Sequence, residues 1–477
     1  MKTKQFPFAV YNGLLCLGAV LIAVLVCLCA QAAEERWYLK WDLSDDQISH
    51  LSDYTLERLS ALEENVTIYA VYTAGTTGDL RDLQTETLGR MAAVSGRVRV
   101  EELDPVTQPQ RVAMLAGEAA GVADGTVFIR NEAGTRVIRL DPEAFIFSRR
   151  IGEEIYTIYG GETQIIGAIE RACTDDPVGV WFVSGHGELR EEDCASLALQ
   201  LRAMGFEVHE GSLNVIAPSA HDVLLLLGPN SDLTQTEADR LKAFLDEGGR
   251  LVLACGADAP FERLSELSAV MDLYGLGYRP GWVTESAQET AFYLDRPELL
   301  SPALADENGV MDELPGRLIL PRSAALKTPE LRPGVSAVPL LVTSGRATLK
   351  ADTAADASSA SPDDVSGRML LAALAQQGDM RILQLASSDM LRDGADRSLS
   401  SVLDASENLA FLSQCLNLMT DRDGEATLAA GVKQLPAQLI TFDSEQTRRQ
   451  VSAVILLTLP SLIAVAMAVV LIRRRRL

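Results

Sequence analysis

Several chemistries are excluded by what this chain does not contain. No G-x-x-x-x-G-K-[ST] loop occurs in its 477 residues, so it does not read as an ATPase. No C-x-x-C pair occurs, which removes the usual signals for a zinc site or a dithiol redox site. Histidine is limited to four residues, and three of them (His50, His209 and His221) stand apart from other chemistry-bearing groups. Aromatics make up only 5% of the chain. Cations are outnumbered, 42 Lys and Arg against 66 Asp and Glu, for a net charge of −24. Such a surface repels nucleic acid and anionic lipid headgroups and favours solubility.

Charge is also absent from two long runs. Gln5 to Ala33 carries no charged residue, and neither does Val451 to Ile472. Each can cross a bilayer core of about 30 Å as a helix of roughly 20 residues. Lys2 and Lys4 precede the first run, and Arg473, Arg474, Arg475 and Arg476 follow the second. Cytoplasmic flanks are enriched in Lys and Arg, so both termini are expected in the cytoplasm and residues 34–450 outside it. Pro460 would kink the second helix without breaking it. The competing reading of the first run is a cleaved signal peptide ending near Ala30-Gln31-Ala32, but its length favours an anchor. No clean lipobox precedes Cys27 or Cys29. With six of the cations in the two tails and none of the acids, the intervening body is more acidic than the whole. Cys173, Cys194, Cys255 and Cys415 lie in that body, widely spaced. A disulfide is possible outside the cell, but sequence alone assigns no pairing.

The body reads as α/β throughout. The domain organisation expected is 1–33 for the tail and first membrane helix, 34–160 for one α/β domain and 161–425 for a second. Residues 426–450 form a membrane-proximal linker, and 451–477 the second membrane helix with its basic tail. In the first domain Ser52 caps a helix over 53–63, Val66 to Tyr72 alternates as a strand, and a helix over 80–94 precedes a strand at Val98 to Leu103. Residues 110–121 are helical, and Thr126 to Arg130 with Thr135 to Leu140 form a hairpin. The resulting β-α-β-α-β-β order is thioredoxin-like, with no redox cysteine to match.

A linking helix at Thr163 to Cys173 leads into the second domain. Strands are expected at Val178 to Val183, Phe206 to His209, Asp222 to Leu227 and Leu251 to Ala254. Asp222 to Leu227 and Leu251 to Ala254 are apolar enough to be buried on both faces. A helix over 191–204 places Cys194, Leu197, Leu201 and Met204 on one side. Thr234-Gln235-Thr236-Glu237 is a capping box opening the next helix. Alternation of this kind implies a parallel sheet of the flavodoxin or glutamine-amidotransferase type. Further strands are expected at Leu318 to Leu320, Val338 to Val342 and Met380 to Leu385, a flexible surface loop at 351–366, and an amphipathic helix at 407–419.

The candidate site is Ser184-Gly185-His186-Gly187-Glu188. It follows a strand and precedes a helix, at the carboxyl end of an open sheet where ligands usually bind. Its glycines allow close backbone approach, and the helix N-terminus offers amides to an anion. His186 and Glu188 could hold a ligand or partner. A plain turn fixed by those two side chains is the alternative, and one His with one carboxylate is only a weak signal for a metal. Cys255 ends a strand, where a glutamine-amidotransferase-type nucleophile would sit with His186 as its base, yet its flanks form no convincing elbow and a buried structural thiol is expected. No catalytic residue, cofactor or metal is assigned.

Taken in order, these pieces resemble the gliding-motility-type auxiliary component of ABC transport systems. The matching segments are Trp41-Asp42-Leu43-Ser44 with Leu51, Ser52 and Thr55; Val66 to Tyr72; Leu103-Asp104-Pro105; Ser184 to Glu188; Asp222 to Pro229 with Leu233-Thr234; Gly248-Gly249-Arg250-Leu251; and Arg381 to Asp389 with Asn408 and Phe411. The resemblance implies a membrane-anchored, non-ATPase subunit that works outside the membrane beside an ABC permease and a cytoplasmic ATPase; the acidic charge speaks against a nucleic-acid partner. Two other functions compete with it: an extracytoplasmic hydrolase or amidotransferase using Cys255, His186 and Glu188, and an envelope ligand-binding ectodomain with its site at the 184–188 loop.

Overall fold

The computed structural model describes residues 50–421, apart from short internal stretches (118–120, 152–153, 287–291, 294–295, 306–313, 315, 331, 355, 357–358, 395–402 and 404–405). It also describes the strand Lys433–Leu435 and the isolated positions 18, 21, 22, 24, 25 and 461. Among the described residues no helix is long and apolar enough to cross a membrane. The two expected spans lie almost wholly outside the described residues.

The first unit starts with α1 (Asp53–Ser60), three residues shorter than expected. Ser52 caps it, its Oγ accepting from Thr55 N at 3.2 Å. The chain continues through β1 (Val66–Val71), α2 (Asp79–Val94), β2 (Val98–Leu103) and α3 (Pro109–Ala116). α3 stops short of the expected residue 121 because Gly117 turns the chain at φ 60°. β3 (Val127–Asn131) and β4 (Val137–Leu140) then form the expected hairpin. The sheet order is β2-β1-β3-β4, with β1 and β2 parallel and the other pairs antiparallel.

A second hairpin, β5 (Ile146–Ile151) and β6 (Glu154–Tyr159), leads into α4 (Gly161–Cys173). α4 buries Ile165, Ile166 and Ile169 in the core of this first unit. Its other side meets the second unit, with Gln164 Nε2 donating to Leu199 O at 3.1 Å. The strand Lys433–Leu435 returns from the far end of the chain to pair with β6.

The second unit runs β7 (Gly179–Val183), α5 (Ala195–Ala203), β8 (Glu207–Gly211), β9 (Val223–Leu227), α6 (Gln235–Asp246), β10 (Arg250–Ala254) and α7 (Ser265–Leu273). After a run of short strands come β11 (Ser336–Val342), β12 (Leu370–Gln377), β13 (Met380–Leu385) and α8 (Asn408–Thr420). The helix expected over 191–204 is divided: a 3₁₀ turn covers Glu191–Cys194 before α5 begins. Cys194, Leu197, Leu201 and Met204 are all buried, as their spacing requires.

β9 shows why an unbroken apolar run belongs in the middle of such a sheet. Val223, Leu225 and Leu227 enter one core with Leu197 and Leu201 of α5 and Phe411 and Leu416 of α8. Leu224 and Leu226 enter the opposite core with Leu241 and Leu245 of α6 and Met271 of α7. Both faces are covered, so both residue sets must be apolar.

The parallel strands lie in the order β8-β7-β9-β10-β13, which in chain order reads 2-1-3-4-5. The expectation of a parallel sheet holds only for these. β12 and β13 are joined by the two residues Gly378 and Asp379, too few for a parallel crossover, so they pair antiparallel. β11 then adds antiparallel to β12, and the sheet is mixed.

Two further expectations change. Leu318 and Ile319 are buried outside any strand, and only Leu320–Pro321 pairs. α8 is buried around much of its circumference instead of along one stripe, because it sits beneath the sheet with Asn408 bonded to both backbone groups of Ile319. The 351–366 loop is exposed at most described positions, yet it is tied down by a Lys350–Asp364 ion pair of 3.0 Å. Cys173, Cys194, Cys255 and Cys415 are free thiols.

Candidate functional site

The loop Ser184–Glu188 leaves the carboxyl end of β7, which lies between β8 and β9. The chain crosses to opposite sides of β7 to form these neighbours, and such reversals leave a crevice at the strand ends where ligands of open α/β sheets bind. Gly185 and Gly187 have φ of 127° and 80°, conformations that side chains rarely adopt. They allow the chain to fold His186 and Glu188 inward while both glycines stay exposed.

His186 is held on both sides. Its Nδ1 lies 2.8 Å from Glu188 Oε1 and its Nε2 3.1 Å from Glu237 Oε2. Glu188 Oε2 also accepts from His186 N at 2.6 Å, closing a tight local turn. His186 O accepts from Asn230 N and Ser231 N at 2.8 and 3.0 Å, and Asn230 Nδ2 donates to Gly187 O at 2.8 Å. The loop after β7 is thereby stitched to the loop after β9.

Glu237 belongs to the capping box of α6. Its Oε2 accepts from Thr234 N at 2.9 Å and Thr234 Oγ1 at 2.6 Å, and Oε1 accepts from Asn214 Nδ2 at 2.8 Å. All three ionisable side chains are buried.

Two carboxylates against one imidazole favour its doubly protonated form, with a proton on each nitrogen. Burial pulls the His186 pKa down, but hydrogen bonds and charge from Glu188 and then Glu237 overcome it and the net shift is upward. Burial pushes Glu237 up, while the Thr234 bonds and His186 bring it below the usual carboxylate range.

The arrangement leaves neither ring nitrogen of His186 free to act as a base. Cys255 is 1% exposed, and burial lifts its thiol to about 12 despite a hydrogen bond from Tyr278. The Cys255–His186 pair considered from sequence therefore lacks both a thiolate and a free base. The helix N-terminus considered as an anion site is also occupied: Arg190 N donates to Asp193 Oδ2 and Glu191 N to Glu210 Oε2. Among the described residues no group of three or more His, Cys, Asp or Glu is placed to hold a metal ion. The loop offers the exposed backbone of Gly185 and Gly187 to its surroundings, with the half-buried Ser184 beside them.

Glu237 is the member of this cluster that sequence reading assigned only to a helix cap. Its second role has no local signal, since it lies 51 residues from His186. The same carboxyl edge also gathers Asp258, Arg322 and Asp389. Arg322 sits at φ 40°, bonded through Nε and Nη2 to Asp258 at 2.7 and 2.6 Å, with its guanidinium 5.5 Å from the Trp282 ring centroid. Burial, reinforced by Asp258, raises the Asp389 carboxyl above its ordinary range.

Comparison with known proteins gives one family. Residues 178–414 match the family model described as ABC-type uncharacterized transport system. No curated protein matches the chain. Among solved structures, the mmIFT52 N-terminal domain is similar at 18% identity and a TM-score of 0.38, covering 50% of this chain and 97% of that one. The NTD_N/C domain of the alkylhydroperoxide reductase AhpF from Enterococcus faecalis follows at 12% identity and a TM-score of 0.20, covering 34% and 77%. The exo-β-1,4-mannosidase Op5Man5 of Opitutaceae bacterium strain TAV5 has 13% identity and a TM-score of 0.29, covering 71% and 51%. Such TM-scores carry no argument about this chain. The family match does: through residues 178–414, which contain the whole 184–188 loop and the mixed sheet around it, the chain belongs to the auxiliary components of ABC-type transport systems.

Proposed function

We infer that this chain is a membrane-anchored, extracytoplasmic accessory subunit of an ABC transport system, coupling a substrate or an envelope component to a permease while a separate cytoplasmic ATPase supplies the energy. On this reading the apolar runs at either end are the anchors, and both termini face the cytoplasm. The first α/β unit is a thioredoxin-like scaffold, and the second a flavodoxin- or amidotransferase-like sheet adapted to binding.

The observation that carries the reading is the loop at the sheet's reversal point. Its ionisable side chains are spent on one another, and its outward face is exposed glycine backbone. A rigid turn of that kind suits recognition of a partner, whereas a hydrolase would need a free base and a reactive nucleophile.

The test is co-purification of the full-length chain from its native membranes in mild detergent. An ABC permease and its ATPase should co-elute, and Ser184→Trp, placed beside the exposed turn, should weaken that association. Repeated isolation without any ABC permease would overturn the reading. Protease added to intact cells should digest the body; protection until the cells are permeabilised would overturn the topology.

A further inference from the structure

A cavity of ≈ 390 Å³ lies far along the second unit's sheet from the 184–188 loop, bordered by Leu326, Pro339, Val342, Met369 and Leu370 together with Arg279 and Arg368. Its size falls within the range of small-molecule pockets, on the order of 300–1,000 Å³. Its floor is apolar: Leu326, Val342 and Met369 are buried.

The two arginines make this cavity unlike an ordinary packing gap. Arg279 is half-buried and directs Nη1 at Met369 Sδ, 3.7 Å away, so its charge sits over the apolar floor. Arg368 is exposed on the rim. Neither arginine makes an ion pair among the described residues. Among the described residues the one acid bordering the cavity, Glu330, is paired with Arg332 at 3.0 Å. In a chain of net charge −24, two guanidiniums beside an apolar cavity, without a carboxylate partner among the described residues, form a local positive site.

We propose that this cavity binds an amphipathic anion, with its hydrocarbon chain against Leu326, Val342 and Leu370 and its carboxylate or phosphate between Arg279 and Arg368. Hydrocarbon burial supplies the affinity and the paired guanidiniums fix the orientation, since arginine engages both carboxylate and phosphate through two parallel donors. A free fatty acid and an anionic phospholipid share this chemistry.

The experiment is photolabelling of the full-length chain in a neutral maltoside detergent. The probe is a fatty acid with a diazirine in its tail, and labels are mapped by proteolysis and mass spectrometry. Labels should fall on the peptides carrying Val335 to Val342 and Met369–Leu370, and excess dodecanoate should displace them. Arg279→Gln and Arg368→Gln should each weaken that competition by roughly ten- to a hundredfold, the loss expected when one charge-assisted hydrogen bond is removed. Arg263→Gln, an exposed arginine elsewhere, should change nothing. Phosphatidylglycerol competing as well as dodecanoate would make the source a membrane lipid, and competition by dodecanoate alone would make it a free fatty acid; either supports the site. Labels scattered over other peptides, or labelling that ignores both arginine variants, would overturn it.

Discussion

Truncating Glu237 to Ala removes an acceptor that several groups share. Its Oε2 serves Thr234 N, Thr234 Oγ1 and His186 Nε2, and its Oε1 serves Asn214. Losing half of a capping box costs about 1 kcal/mol. His186 keeps Glu188 as its carboxylate, so the deletion removes one charge-assisted hydrogen bond and not the whole pair, a loss of about 1.5–3 kcal/mol. Both losses run through the same oxygen and do not add, so about 1.5–3 kcal/mol is expected in total. At roughly 2–4 °C per kcal/mol for a unit of this size, Tm should fall by about 3–12 °C. Glu237→Gln keeps the shape and one acceptor, so its cost should be smaller. Urea unfolding followed by Trp181 fluorescence reads this directly, since that ring lies in β7 and stacks on His209 at 4.4 Å.

The pH dependence has a definite sign. His186 is raised above its ordinary 6.5 when folded, so its contribution is fully present below 6.5 and is lost as pH rises through the folded value. Glu237 is lowered from 4.5, so its contribution is fully present above 4.5 and is lost as pH falls through the folded value. Both act fully between 4.5 and 6.5. In His186→Gln the loss on the alkaline side should vanish. A cost under about 1 kcal/mol for Glu237→Ala, below that of one charge-assisted hydrogen bond, or an unchanged alkaline profile in His186→Gln, would refute the clamp.

Three other outcomes follow from particular contacts. Gly167→Ala would place a methyl 2.4 Å from Ala203 O and 2.6 Å from Arg202 O, so it should destabilise by about 1–3 kcal/mol, reversing the usual helical gain; a higher urea midpoint would count against this contact. Cys255, with its thiol near 12 and its side chain buried, should resist iodoacetamide at pH 8 in the folded chain and react only on unfolding, as followed by intact mass. Asp364→Ala should leave Lys350 without its carboxylate and speed proteolysis within 351–366; unchanged cleavage would show that the loop is not held there.

Much of the local structure was legible from single segments. The Ser52 cap, the Thr234–Glu237 box and the apolar runs of β9 and β10 each carry their structural meaning within a few residues, because helix caps and strand burial are set by near neighbours in the chain. The division of the 191–204 helix was not, because the apolar spacing runs unbroken from Cys194 to Met204 and does not mark the 3₁₀ turn that Arg190 and Asp193 close. Nor was α8, whose burial depends on the underside of a sheet formed by distant strands.

Sequence by itself fixed the acidic body, the two charge-free runs, the alternation of strands and helices, and the loop at 184–188 as the place to look. Tertiary structure decided what that loop's side chains do. Glu237 reaches His186 only because β7 and β9 are neighbours while the strand between them in the chain, β8, lies on the outer side. The same folding brings Arg279 beside Met369, 90 residues away. Pairings of that kind arise from strand order in space, to which residue spacing along a chain is blind.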